Sequence, residues 1–184
     1  MKIETICEQI STCLRCSLGV NNPLPTLPIV GEKTKTIFLG EAPGASEAQV
    51  GRPFVGRSGK LLQQTLAKVG FTRDTVYITN AVKHRPPDNR QPTSEEITAC
   101  REHLINEISY VLPEVICCLG KTASIAMAQI LDYKQLPKTN LRAHSYTHGG
   151  ILIVHTWHPA YVLRNPAALP QLEEDLLAIY NKVK

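Results

Sequence analysis

No stretch of the 184-residue chain approaches the roughly 20 consecutive apolar residues that span a bilayer, which excludes a helical membrane protein. The opening Met1-Lys2-Ile3-Glu4 includes an acid and leads into no long apolar core. No secretory signal is therefore expected, and the cytoplasm is the expected compartment. The chain has no internal repeat and no low-complexity tract, so repeat arrays and disordered tails need not be considered. Nor is its charge strongly one-sided: a net +4 permits a polyanionic partner without requiring one. What remains is ordinary soluble composition, 43% hydrophobic and 20% charged, enough to bury a core in one domain over residues 1–184. The six cysteines are less ordinary. Cytosolic thiols stay reduced, so clustered cysteines suggest metal binding or redox work rather than disulfides.

Periodicity sets the expected order of elements. Ile3, Ile6, Cys7 and Ile10 recur at helical spacing, and a proline-rich linker from Asn21 to Pro28 follows. Apolar strands are expected at Thr36–Leu39, Val76–Thr79, Val115–Leu119 and Ile151–Thr156. Helices are expected over Ser58–Val69, from Thr93 or Ser94 onward, over Lys121 to about Leu131, and over Leu169–Val183. Asp132 to Gly150 reads as a loop. Short apolar strands alternating with helices imply an α/β fold with a parallel sheet covered on both faces. Ligands of such sheets bind beyond the carboxyl ends of the strands, here Gly40–Gly44, Asn80–Arg85, Gly120 and Trp157–Pro159.

Cys13-Leu14-Arg15-Cys16 is a C-x-x-C, and His84 and Cys100 lie far downstream. Three thiols and an imidazole could hold zinc or an iron–sulfur cluster, and a redox dithiol is the plainer alternative. Cys7 belongs to the apolar helix face, while Cys117 and Cys118 read as buried structural thiols. At the strand ends, glycines would let backbone amides approach a ligand, with Glu41 and Glu47 placing carboxylates beside it. Phe54 could stack on a flat base or simply join the core. Asn80, directly after a strand, offers donor and acceptor together to a pyrimidine edge. His158 ends the last strand, where a lone histidine is more often structural than catalytic.

Together these residues resemble the family 4 uracil-DNA glycosylases, the iron–sulfur branch of the uracil-DNA glycosylase superfamily. The resemblance runs from Cys13 to about Asn165 and rests on Gly40-Glu41-Ala42-Pro43-Gly44, Gly51-Arg52-Pro53-Phe54-Val55-Gly56, Thr79-Asn80-Ala81-Val82-Lys83 and His158-Pro159. It implies a three-layer α/β/α domain around a four-stranded parallel sheet, and a monomer acting on single- or double-stranded uracil-containing DNA. It implies that Ala42, Phe54, Asn80 and His158 bind uracil. Asn80 would read the Watson–Crick edge, and His158 would donate to O2 as negative charge grows there. Glu41 and Glu47 would help position water or the base. Arg57, Lys60 and Arg164 could contact phosphate or stand as solvated surface charges, and Leu163, in a stretch resembling the superfamily's DNA-inserting loop, would be the wedge.

The chain departs from the family at one ligand. Cys13, Cys16 and Cys100 match cluster cysteines, but His84 stands where the family has a fourth. The expectation is a [4Fe–4S] cluster held by Cys13, Cys16, His84 and Cys100, with the neutral imidazole raising the reduction potential relative to thiolate. A related branch traps its product covalently through a histidine on an inserted basic loop. The corresponding Arg85–Pro92 segment is short and holds no histidine. Three alternatives remain: a covalent trap acting through His84, a nucleic-acid-binding module that kept the fold, and a zinc hydrolase, for which four ligands leave no open position.

Overall fold

Five-residue apolar runs rich in β-branched side chains become the central strands, because such residues suit a pleated surface buried on both sides. In the computed structural model, residues 1–22 and 24–184 are described; Pro23, part of the expected linker, lies outside the described residues. The strands are β1 (Ile29–Val30), β2 (Thr36–Gly40), β3 (Val76–Asn80), β4 (Val115–Leu119), β5 (Ser145–His148) and β6 (Ile151–Thr156). The helices are α1 (Ile3–Ser11), α2 (Ser17–Asn21), α3 (Ala45–Val50), α4 (Arg57–Val69), α5 (Ser94–Val111), α6 (Lys121–Ile130), α7 (Pro159–Arg164) and α8 (Leu169–Val183).

The sheet is mixed and six-stranded, in the order β1-β3-β2-β4-β6-β5. The expected four-strand sheet is corrected to this extent: β3, β2, β4 and β6 run parallel, and β1 and β5 add antiparallel edges. β5 lies inside the expected loop because its side chains are polar and mostly exposed, leaving no hydrophobic alternation to detect. Gly149 and Gly150, both at positive φ (57° and 84°), form the two-residue turn into β6.

Successive strand residues face opposite layers. Phe38, Ile78 and Cys117 pack with Leu62 and Leu66 of α4 and Leu172 and Leu176 of α8. Ile37, Tyr77 and Cys118 pack with Leu104 of α5 and Met127 of α6. Leu62, Leu104 and Leu172 are essentially inaccessible, and truncating any one to Ala should cost about 2–5 kcal/mol. α1 lies on α5, with Ile6 and Ile10 fully buried. Cys117 and Cys118 are also fully buried, and Cys7 is half-buried. α5 starts at a capping box: the Glu96 amide donates to Thr93 Oγ1 at 3.3 Å, and the Thr93 amide donates to Glu96 Oε2 at 2.8 Å. No helix among the described residues is long and apolar enough to cross a membrane.

Candidate active site

The parallel register between β2 and β3 sets Gly40 opposite Asn80, so both strands end at the same level. Beyond them opens a cavity of about 500 Å³, lined by the segments that follow the strands. Glu41, Ala42, Glu47, Phe54, Asn80 and His158 all face it, and Arg57, Leu163 and Arg164 stand in the same lining.

Gly40 determines how its two neighbours meet. A Cβ built there would lie 2.3 Å from Asn80 Oδ1 and 2.6 Å from the Phe54 ring, so only glycine lets amide and ring close over the strand end. Asn80 is 3% exposed. Phe54 is buried and sits at φ 53°, a left-handed conformation that costs an aromatic residue about 1–2 kcal/mol. Such strain is characteristic of residues held for a task. The Phe54 carbonyl accepts from Gln63 Nε2 at 2.9 Å, which helps hold the backbone in place.

His158 caps the N-terminus of α7. Its Nδ1 accepts from the Ala160 amide at 3.1 Å, so a neutral ring carries its proton on Nε2. Burial, helped by the positive charge of Arg164, lowers its pKa to about 4. The Phe54 and His158 rings are 6.0 Å apart, tilted by 31°.

The two carboxylates differ. Glu41 Oε2 accepts from the Thr122 hydroxyl at 2.5 Å. Glu47, on α3, is buried, and its Oε1 accepts from the Val55 and Gly56 amides at 3.0 and 2.8 Å. Glu47 thus ties α3 to the loop that carries Phe54 as well as facing the cavity. Leu163 is 44% exposed at the rim, on a short helix rather than a loop.

Sequence reasoning passed over Thr122, whose helix-start position carries no particular signal. It also passed over Pro86, Asn89 and Arg90, which line the cavity from the segment weighed only for its missing histidine. Arg90 forks onto Glu96, with contacts of 2.9 and 2.6 Å, and so fastens that segment to α5.

The cysteines form a separate region. Cys13 follows α1, Cys16 caps α2 and Cys100 lies on α5, where Cys16 and Cys100 share a small core with Ala81, Val82 and Ala42. Burial, with smaller contributions from the Cys16 and Cys13 thiols, raises Cys100 to about 11, while the Lys83 amide and ammonium oppose the rise. His84 is 2% exposed, its Nε2 is buried without a hydrogen-bond partner, and burial lowers its pKa. A Cβ at position 19 would meet the Cys13 carbonyl at 2.5 Å and His84 Cε1 at 3.3 Å, so Gly19 lets the Cys13 backbone and the imidazole approach. Among the described residues no three His, Cys, Asp or Glu side chains are arranged to hold a metal ion. His84 Nε2 is buried without a hydrogen-bond partner, and a neutral imidazole nitrogen of this kind has the chemistry to bind a thiophilic metal group.

A concave site that joins an amide, an aromatic ring, a neutral imidazole donor and carboxylates is suited to a flat heterocycle that leaves as an anion. Residues 28–184 match the uracil DNA glycosylase superfamily, and the chain belongs to that family. It is 41% identical over 167 residues to the type-4 uracil-DNA glycosylase of Thermotoga maritima, covering 89% of this chain and 84% of that one. The type-4 enzyme of Archaeoglobus fulgidus is 34% identical over 96% of this chain and 91% of its own length. That of Sulfurisphaera tokodaii is 38% identical over 96% and 83%. Within the superfamily these relatives are all of the type-4 branch.

Proposed function

We propose that this chain is a monofunctional uracil-DNA glycosylase that flips uracil out of DNA and hydrolyses its N-glycosidic bond, leaving an abasic site for base excision repair. The observation that carries this reading is the closure of Asn80 Oδ1 and the Phe54 ring over Gly40, facing a His158 whose free Nε2 proton is set by the Ala160 amide.

Phe54 offers an apolar face to the flipped base. The Asn80 carboxamide accepts from uracil N3–H and donates to O4, a pattern that cytosine reverses. As the C1′–N1 bond breaks, the sugar gains oxocarbenium character and uracil leaves as an anion. A neutral His158 donates from Nε2 to O2 without a proton first having to be lost or gained, and such preorganised donors are worth about 10²–10³ in rate. Glu41, held by Thr122, orients water toward C1′. Glu47 holds the Phe54 loop and adds negative charge opposite the developing cation. Arg57 and Arg164 meet phosphates, and Leu163 fills the gap left in the stack. The enzyme acts as a cytoplasmic monomer, its single domain spanning residues 1–184.

Cys13, Cys16, Cys100 and His84 are the residues that would hold a [4Fe–4S] cluster. When bound, the group supplies a cross-link among the N-terminal segment, the β3 loop and α5. The His84 Nε2 buried without a partner supports its place among the ligands. His84 is absent from the cavity lining, which speaks against a covalent trap acting through it.

The test is an oligonucleotide carrying one uracil, run on a denaturing gel with and without hot alkali. Cleavage at the uracil only after alkali is the expected result. Intact DNA after alkali would leave a binding module of the same fold, and a slow band that survives denaturation would indicate covalent capture.

A further inference from the structure

Lys83 and Glu107 take no part in the chemistry above, yet they form an ion pair with side chains only 1% and 0% exposed. Lys83 Nζ donates to Glu107 Oε2 at 2.7 Å, to Thr79 Oγ1 at 2.8 Å and to the backbone carbonyl of Asn80 at 2.8 Å. A lysine ammonium has three protons to give, and here each has an acceptor. The Thr79 hydroxyl in turn donates to Glu107 Oε1 at 2.9 Å, closing a ring of contacts between β3 and α5.

A buried ion pair contributes little net stability over a well-packed apolar pair, so stability alone does not account for it. Its position is more telling. Asn80 is the last residue of β3, and the ladder continues past it through the Ala81 amide to the Gly40 carbonyl (2.9 Å) and the Val82 amide to the Glu41 carbonyl (3.2 Å). The Asn80 carbonyl is held by the lysine that arrives three residues later. Lys83 also engages through its own backbone. Its amide faces the Cys100 thiol, and its carbonyl accepts from the Thr26 amide at 2.8 Å. A rotation of the Asn80 peptide would swing the carboxamide away from Gly40 and Phe54, and the ammonium opposes that rotation.

We propose that the Lys83–Glu107 pair positions Asn80 and thereby sets how well the enzyme reads the uracil base. The inference rests on Asn80 being the group that reads uracil. It makes Lys83 and Glu107 positioning residues, which touch no substrate.

Removing one partner alone strands a buried charge and invites unfolding. The primary variant is therefore the apolar pair Lys83→Met/Glu107→Leu. The readout is the ratio of two affinities: for an oligonucleotide with a non-cleavable 2′-fluoro deoxyuridine, and for the same oligonucleotide with an abasic analogue. A purely structural defect weakens both alike. Displaced base reading lowers the ratio, by about tenfold if one well-placed hydrogen bond is lost. Melting temperature and iron content are measured on the same preparations. A folded double variant with wild-type iron and a lowered ratio supports the proposal; an unchanged ratio overturns it. Lys83→Met/Glu107→Gln, which removes the ammonium from the Asn80 carbonyl while keeping an oxygen to accept from the Thr79 hydroxyl and no buried charge, serves if the first double variant does not fold. A ratio lowered severalfold supports the proposal, and an unchanged ratio overturns it. Asn80→Ala separates the two levels. If it too keeps the wild-type ratio, the reading of Asn80 itself fails. If it loses base discrimination while the other variants do not, only the positioning inference falls.

Discussion

His158 Nδ1 accepts a hydrogen bond from the Ala160 amide, which makes this side chain a donor toward the cavity only through Nε2. Helix capping and tautomer selection are thus one interaction. With its pKa lowered to about 4, chiefly by burial, the ring is neutral across the ordinary assay range. Protonation at Nδ1 would turn the cap's acceptor into a donor. Activity governed by His158 is therefore present above about pH 4 and lost as the pH falls through that value, not near the 6.5 of a free imidazole. The pH profile of kcat/KM on uracil-containing DNA should show its His158-dependent acid limb near 4. His158→Ala should lose about 10²–10³ in rate together with that limb.

Gly40 is a second place where one atom decides the outcome. An added methyl would stand 2.3 Å from Asn80 Oδ1 and 2.6 Å from the Phe54 ring, closer than any tolerable contact. Both groups would have to retreat from the strand end. Displacements of about 1 Å at a reactive centre can cost on the order of 10²-fold. Gly40→Ala should lose about that much in kcat/KM while keeping its circular dichroism spectrum and a cooperative melt. Near-normal activity would mean that the convergence over Gly40 is not what binds the base.

The parts of the fold built from apolar runs were legible in the sequence. Thr36–Leu39 and Val115–Leu119 announce themselves because both faces of those strands are buried. Asn80, Phe54 and His158 could be placed at one cavity because ligand sites lie beyond the strand ends. β5 was not legible, since an exposed polar edge strand has the composition of a loop, although Gly149-Gly150 was a usable turn signal. Lys83 and Glu107 were hidden for another reason. Lys83 figures in the sequence only as part of a motif and Glu107 carries no local signal, and only the packing of α5 on β3 makes them a buried pair. The two hydrogen bonds from the Phe54 loop to Glu47 likewise depend on loop closure, which no periodicity records.

The two carboxylates should separate under mutation. Glu47→Ala deprives two backbone amides of a charged acceptor and should destabilise the fold by about 3 kcal/mol, whereas Glu47→Gln keeps an oxygen there and should cost about 1 kcal/mol or less. Glu41→Gln keeps the Thr122 contact but loses the charge, so it should leave the melting temperature nearly unchanged and lower kcat. Thermal melts and steady-state kinetics on the same preparations check both. A melting temperature for Glu47→Ala no lower than that of Glu41→Gln would mean that the Val55 and Gly56 bonds do not hold the Phe54 loop.

The substitution most informative about the cysteine region is His84→Cys. His84 Nε2 is buried without a hydrogen-bond partner and its ring lies near Gly19, whose position also approaches the Cys13 backbone, so this nitrogen is unengaged by the protein. If the imidazole completes a [4Fe–4S] site, anaerobically prepared protein should hold iron and acid-labile sulfide in equal amounts. His84→Ala should lose much of both. His84→Cys should retain them and shift the reduction potential downward, because thiolate brings negative charge where imidazole brings none. Metal analysis and voltammetry of the three proteins provide the check. Zinc in place of iron, or full iron retention in His84→Ala, would remove His84 from the ligand set and leave its nitrogen a buried group without a partner.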